Sequence, residues 1–132
     1  MASSERPVAL SCGEPAGIGP ELALRARAVL GATLPFVWIG DPRHLPAGAR
    51  ITEVAGPEAA LSVALDRLPV WPLDMGPAPR PGHPDPALAA GVVAALSRAV
   101  DAVQAGTAAA LCTLPIQKAV LQAGAGFAFP GH

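Results

Sequence analysis

The sequence of residues 12–21, CGEPAGIGPE, constrains the fold of this chain more than any other segment. It stands between a short apolar segment at residues 8–10 and a helix-like segment at residues 22–30. Glycine can adopt a positive φ, whereas proline fixes φ and removes an N–H donor. Together they predict a sharply shaped turn from a strand to a helix. Proteins of the α/β class place their functional sites at turns of this kind.

Composition narrows the class of protein and its partners. The chain has 132 residues, of which 52% are hydrophobic, and this is enough for one domain with a buried core. Gly, Pro, Asp or Arg interrupts every apolar run, so we expect no membrane span. A net charge of −1 without a basic run argues against nucleic acid and favours a small-molecule partner. The N-terminus has no apolar signal-like region, so we expect a cytoplasmic protein, in which Cys12 and Cys112 are free thiols.

Strand and helix patterns alternate along the chain. Strands are predicted at residues 7–11, 35–40, 50–54, 69–73 and 108–112, helices at 20–30, 58–67, 87–105 and 116–123, and a proline-rich loop at 75–86. Pro72 should push its strand to an edge of the sheet, and the small apolar residues 108–112 are typical of a strand buried on both faces. The longest helix has an apolar stripe of Leu88, Val92, Leu96, Ala99 and Val103. We therefore predict a single α/β domain over residues 1–132, with a mostly parallel sheet flanked by helices.

Parallel strands joined by helices have their carboxyl ends at one edge of the sheet. Gly13 and Glu14 follow the first strand, and Thr113 and Lys118 follow the last. We expect these four residues to share one rim. Lys118 is the only lysine of the chain, and it either binds an anionic substrate there or is a solvated helix residue, which is the commoner case.

Several motifs have a plain structural interpretation. The glycines at 13, 17 and 19 do not match the dinucleotide fingerprint G-x-G-x-x-G, so the turn is either a structural elbow or a binding loop. His44 and His83 lie in proline-rich loops without a second metal ligand nearby, and we interpret both as surface residues. Cys12 and Cys112 lie beside strand ends, where small packing residues are more frequent than nucleophiles.

Four motifs in this order resemble the 4-hydroxythreonine-4-phosphate dehydrogenase family of vitamin B6 biosynthesis. They are GEPAGIGPE at 13–21, IGD at 39–41, TLPIQK at 113–118 and FPGH at 129–132. The resemblance spans the whole chain. Two positions depart from the family pattern, because Cys12 replaces a proline or methionine and Gln117 replaces an asparagine or histidine.

The resemblance implies a fold like the first domain of isocitrate and isopropylmalate dehydrogenases. The chain would then be an incomplete N-terminal domain of a longer, two-domain, homodimeric enzyme. That enzyme would oxidise the 3-hydroxyl of 4-phosphooxy-threonine with NAD, and the resulting β-keto acid would lose carbon dioxide. The resemblance also implies a divalent metal (Zn, Mg or Co), held by ligands absent from this chain.

Among the residues present, the resemblance gives substrate binding to His132, Lys118 and Thr113, with Gly13 and Glu14 in the loop at the rim of the site. It assigns no catalytic residue. Two alternatives stay open. The same family could act on threonate or erythronate phosphate or on a carboxylated dihydrodiol, or the chain could be a truncated, non-catalytic α/β binding module. We expect the 132-residue chain alone to be inactive.

Overall fold

The computed structural model describes residues 6–125 as an α/β fold. The strands are β1 (Val8–Ser11), β2 (Phe36–Gly40), β3 (Ile51–Glu53), β4 (Leu68–Pro72) and β5 (Ala110–Thr113). The α-helices are α1 (Gly19–Leu30), α2 (Ala89–Gln104) and α3 (Lys118–Ala125). Short 3-10 helices cover Pro42–His44, Pro57–Ser62 and Pro86–Leu88.

The five strands form one sheet in the order β3-β4-β2-β1-β5, and every pair in it is parallel. β1 lies between β2 and β5, with Val8 opposite Phe36 of β2 on one side and Ala110 of β5 on the other. The predicted parallel α/β fold is confirmed. All five carboxyl ends therefore meet at one edge, where the turn of residues 12–18 also lies.

The core lies between the sheet and α2. Residues 36–40 of β2 are all buried, and Trp38 is fully enclosed. The helix α2 approaches the sheet through Val92, Ala95 and Ala99. The predicted apolar stripe is thus partly wrong, because Leu96 and Val103 are only half-buried while Ala95 and Ala102 are buried. Alanine allows the helix backbone to come close to the strands, which a row of leucines would prevent.

The predicted helix at residues 58–67 is wrong in length and type, since only Pro57–Ser62 is helical and the helix is 3-10. The buried Arg27 of α1 explains the end of this helix. Its guanidinium donates hydrogen bonds to the carbonyl oxygens of Val63 (3.1 Å), Ala64 (3.2 Å) and Arg67 (2.8 Å). An α1 side chain therefore binds these carbonyls and holds this connection against α1.

Two expectations about sheet edges are also wrong. β4, with Pro72, is not an edge strand, since it pairs with both β2 and β3. Proline is tolerated there because the three-residue β3 ends opposite Val70, so nothing on that side requires an N–H from Pro72. Within residues 6–125, β5, which was predicted to be buried on both faces, lies instead at an edge, with Ala110, Leu111 and Cys112 exposed.

Among the described residues, the helical stretch Pro86–Gln104 is long and apolar enough to cross a membrane by length and composition alone. Core helices of α/β proteins meet the same criterion. Here Val92, Ala95 and Ala99 of this stretch are buried in the core beside the sheet.

Candidate functional site at the carboxyl edge of the sheet

The turn after β1 and the segment after β5 are joined through their backbones. The N–H of Glu14 donates to the carbonyl oxygen of Pro115 at 2.7 Å, and the N–H of Leu114 donates to that of Ser11 at 3.1 Å. Gly13 has a φ of +67°, and a Cβ built on it would lie 2.5 Å from the Pro115 oxygen. Only glycine fits this position without strain or displacement.

The Glu14 side chain shapes the turn from within. It is only 7% exposed, and its carboxylate accepts a hydrogen bond from the N–H of Ala16 at 2.9 Å. The N–H of Gly17 donates to the Glu14 carbonyl oxygen at 3.1 Å. Glu14 therefore lies at the predicted rim, but its carboxylate holds the loop and is largely closed to solvent.

Thr113 and Lys118 flank the other half of this junction. Thr113 is the half-buried last residue of β5, and its hydroxyl donates to the carbonyl oxygen of Leu114 at 3.0 Å. Lys118 is exposed at the start of α3, and no ion pair among residues 6–125 involves it. The sheet brings both residues to the same edge as Gly13, while their role in substrate binding stays a prediction. His132 lies outside the described residues.

A buried carboxylate joins the ends of β2 and β4. Asp41, which is 2% exposed, accepts hydrogen bonds from Nε (3.1 Å) and Nη2 (2.7 Å) of Arg43 and from the N–H of Met75 (2.8 Å). Burial alone would raise the pKa of Asp41, but the hydrogen bonds from Arg43 and Met75 outweigh it and hold this pKa well below its usual value. The Asp41 carboxylate in turn raises the pKa of Arg43, which also pairs with Asp74.

The interpretation of His44 as a surface residue is wrong. The 3-10 turn Pro42–His44 places the ring under the proline-rich loop, where it is only 8% exposed and its Nε2 lies 2.8 Å from the carbonyl oxygen of Gly76. Its Nδ1 has no partner among the described residues. His83 is exposed, as predicted, with its Nε2 3.2 Å from Nη2 of Arg80.

The two cysteines are free, and their environments differ. Cys12 is buried, with its sulfur 3.9 Å from that of Met75, and burial raises the pKa of its thiol to about 12. It is an inert packing residue, as predicted. Cys112 is exposed, so its interpretation as a packing residue does not hold within the described structure.

A cavity of about 350 Å³ opens beside the turn, and the sequence analysis did not predict it. Its walls come from the turn after β1, from Arg43 and His44 after β2, and from the proline-rich loop. The N–H of Gly82 donates to the carbonyl oxygen of Ala16 at 2.8 Å and so fastens that loop to the turn. The signal available in the sequence was the Asp-Pro-Arg-His segment directly after a buried strand, at the same edge as residues 13–18.

Residues 6–125 contain no group of three or more His, Cys, Asp or Glu side chains that could hold a metal ion. The described rim therefore offers three features. They are the backbone junction between Glu14 and Pro115, the exposed ammonium of Lys118, and the guanidinium of Arg43, which is bound to the Asp41 carboxylate. Such a surface can orient an anionic small molecule, but it supplies no metal centre.

Comparisons with known proteins identify relatives over the whole chain. The model of the family "Pyridoxal phosphate biosynthetic protein PdxA" matches residues 32–132. The chain is 52% identical over 132 residues to the 4-hydroxythreonine-4-phosphate dehydrogenase of Ruegeria sp. (strain TM1040) and 50% identical over 132 residues to that of Roseobacter denitrificans. Each match covers 100% of this chain but 40% of the relative.

Solved structures agree with the sequence matches. The crystal structure of 4-hydroxythreonine-4-phosphate dehydrogenase from Klebsiella pneumoniae has a TM-score of 0.82 at 27% identity, covering 97% of this chain and 42% of that one. The enzyme from Burkholderia phymatum gives the same TM-score and coverage at 25% identity. This chain thus corresponds to an N-terminal portion that is less than half of each relative.

Proposed function

We propose a function from the premise that this chain belongs to the family of the pyridoxal phosphate biosynthetic protein PdxA. The chain forms the N-terminal part of an NAD-dependent and divalent-metal-dependent 4-hydroxythreonine-4-phosphate dehydrogenase. One observation carries the proposal above all others, namely 52% identity over all 132 residues to a relative of that name. The substrate is a small phosphorylated hydroxy amino acid or hydroxy acid, and the full-length protein is a cytoplasmic homodimer.

The described residues do not by themselves fit the metal (Zn, Mg or Co) or the NAD that the family resemblance implies. They include no cluster of metal ligands, and the glycines of the turn lack the dinucleotide spacing. We therefore place the metal ligands and the principal NAD contacts in the part of the relatives that has no counterpart here.

The contribution of this chain is to position and hold the substrate. Lys118 supplies a positive charge for an anionic group at the rim, and the half-buried Thr113 lies on the same segment. Gly13 and Glu14 fix the shape of the opposing turn through the hydrogen bond to Pro115. His132, in the Gly-His pair of the family motif, completes the predicted set.

A chimera tests this proposal. It joins residues 1–132 of this chain to the part of the Ruegeria enzyme beyond its match, so that it spans the length of a complete relative. We expect purified chimera to reduce NAD with 4-phosphooxy-threonine in the presence of a divalent metal, at a rate comparable to the Ruegeria parent. The parent protein is the control for assay conditions.

Two results would lead to other conclusions. A folded chimera that is inactive with 4-phosphooxy-threonine but active with erythronate phosphate, threonate phosphate or a carboxylated dihydrodiol would keep the family and change the substrate. A folded chimera that is inactive with all of them, beside an active parent, would contradict the enzyme proposal. The non-catalytic binding module would then be the better interpretation.

A further inference from the structure

A second cavity lies at the edge of the sheet opposite the candidate functional site. It measures about 550 Å³ and opens where the amino ends of β3 and β4 meet the C-terminal half of α1. Arg50 directly precedes β3, Arg67 directly precedes β4, and both line the cavity together with Arg27 of α1. Among the described residues of the lining, Asp66 is the only acidic one, so the lining has a net charge of +2. A concave surface of this charge attracts small anions.

Arg27 is the buried cation of this cavity. It is only 5% exposed, and its Nε and Nη2 donate to three carbonyl oxygens of residues 63–67. In the part of the chain that the structure describes, no carboxylate pairs with Arg27, and its Nη1 donates no hydrogen bond although this atom is not fully buried. Burial lowers the pKa of Arg27, because no negative charge offsets the loss of water. Since buried charges in proteins are generally paired, this guanidinium is suited to an anion that enters the cavity.

Arg50 and Arg67 bring two further guanidinium groups to the same cavity. Nη1 of Arg67 donates to the carbonyl oxygen of Ile51 at 3.0 Å, which holds this side chain across the ends of the two strands. Nη2 of Arg50 lies 3.0 Å from Oδ2 of Asp66, but both side chains are more than half exposed, so this ion pair is weak. The nearby carbonyl oxygens, which would repel an anion, already accept hydrogen bonds from Arg27. The remaining N–H groups of the three arginines are therefore available to an anion.

The size and the apolar part of the lining indicate more than a free ion. A volume of about 550 Å³ is within the range of small-molecule sites, and Leu24 and Leu65 stand beside the arginines. We propose that this cavity binds a small organic phosphate, with the three guanidinium groups around the phosphate and the two leucines against the organic part. Guanidinium groups match the geometry of phosphate oxygens and can donate two parallel hydrogen bonds to them. This site is separate from the proposed substrate site and does not depend on the proposed activity.

Hydrogen–deuterium exchange in the chimera defined above tests the site. Phenyl phosphate is titrated at constant ionic strength, and peptides that cover residues 63–67 are followed by mass spectrometry. We expect their amide exchange to slow, because a ligand bound to the arginines stabilises the closed state of this connection. The midpoint gives a Kd for this cavity alone, even where phosphate also binds at the substrate site. Phenol, which lacks the phosphate, should give no protection, and protected peptides from the buried strand β2 show that the fold is intact.

Two exposed residues of the lining allow changes of opposite sign. Arg50→Ala should raise the Kd at least about tenfold, because it removes a charged donor to the phosphate. Asp66→Asn should lower the Kd about threefold, because it removes the one negative charge of the lining and releases Arg50 from its ion pair. Arg25→Ala is the matched control, since it removes an exposed cation of α1 outside the described lining, and it should leave the Kd unchanged. Arg27 itself is left intact, because it also holds residues 63–67.

Three results would contradict the proposal. Phenyl phosphate that gives no protection of residues 63–67, while the β2 peptides stay protected, would show that the cavity binds no phosphate. Equal midpoints in Arg50→Ala and Arg25→Ala would show that the arginines of the cavity do not hold the ligand. Inorganic phosphate should need a concentration at least about threefold higher than phenyl phosphate, and equal midpoints would instead assign the site to the free ion. Because the readout does not use catalysis, an inactive chimera leaves this test intact.

Discussion

Glu14 and Pro115 are joined by a 2.7 Å hydrogen bond between backbones that are about a hundred residues apart in sequence. This bond unites the two segments that the sequence analysis singled out separately, residues 13–21 and 113–118. The Cβ of any other residue at position 13 would collide with the same Pro115 oxygen. The glycine of the turn is therefore required by the approach of the β5 segment as well as by its own φ.

The first prediction concerns Gly13. Gly13→Ala should lower the free energy of unfolding by about 2–4 kcal/mol, because the positive φ is strained for alanine and the new Cβ meets Pro115. The matched control is Gly48→Ala. Gly48 also has a positive φ, of +81°, but nothing lies within 4 Å of its Cβ position, so about 1 kcal/mol is expected. Urea denaturation measures the free energy of unfolding of both variants. Equal losses would show that the close approach of Pro115 does not contribute to the cost of Gly13→Ala.

The second prediction concerns Asp41. Asp41→Asn should destabilise the chain by about 1–3 kcal/mol near neutral pH, because a buried group that accepts several hydrogen bonds loses its charge. Asp66→Asn is the control. Its pair with Arg50 is exposed on both sides, and the loss should stay below about 1 kcal/mol.

The same residue predicts a pH dependence. The pKa of Asp41 is lower in the folded chain than its ordinary value of 3.8. The stabilisation from this carboxylate is therefore fully present above pH 3.8 and is lost as the pH falls below it, toward the folded pKa. Urea midpoints should thus fall with acid more steeply in the unmodified chain than in Asp41→Asn. If the urea midpoints of the two proteins fell equally with acid, the lowered pKa of Asp41 in the folded chain would be contradicted.

The third prediction tests Lys118 in the chimera. Lys118→Ala should lower kcat/KM about tenfold or more, which is about 1.4 kcal/mol of lost transition-state binding, without a change in melting temperature. An exposed lysine adds little to packing, whereas an anionic substrate gains from its charge. Arg25→Ala, which removes an exposed cation in the middle of α1, should leave both quantities unchanged. Lys118→Arg should restore part of kcat/KM, and an unchanged kcat/KM in Lys118→Ala would make Lys118 a solvated helix residue.

Local patterns in the sequence were enough to predict the parallel sheet and the common edge of β1 and β5. Each strand-to-helix unit is short in sequence, and the handedness of its crossover is general. The apolar segments around Trp38 and Leu10 could have been placed in a core by composition alone. For these elements, residues adjacent in sequence determine the structure.

The structural predictions were wrong where residues far apart in sequence determine the local structure. The 58–67 segment is shaped by Arg27 of α1, and His44 is buried by the loop that carries Gly76. Pro72 is tolerated in a strand that is paired on both sides because β3 ends opposite Val70, before it reaches Pro72. The exposure of β5 is different in kind, because its small apolar sequence is typical of a covered strand, although Ala110, Leu111 and Cys112 are exposed within residues 6–125.

The final prediction concerns the 132-residue chain by itself. We expect it to show no dehydrogenase activity and no tight binding of Zn²⁺ or Mg²⁺. A catalytic zinc site commonly has about three protein ligands in fixed geometry, and residues 6–125 hold no such group. Isothermal titration with each metal, beside an NADH assay on 4-phosphooxy-threonine, measures both properties. The chimera is the positive control, and it should bind metal and turn over under the same conditions. Saturable turnover by the purified chain alone would mean that a complete site lies within these residues, and that the metal ligands do not belong to the longer part of the relatives.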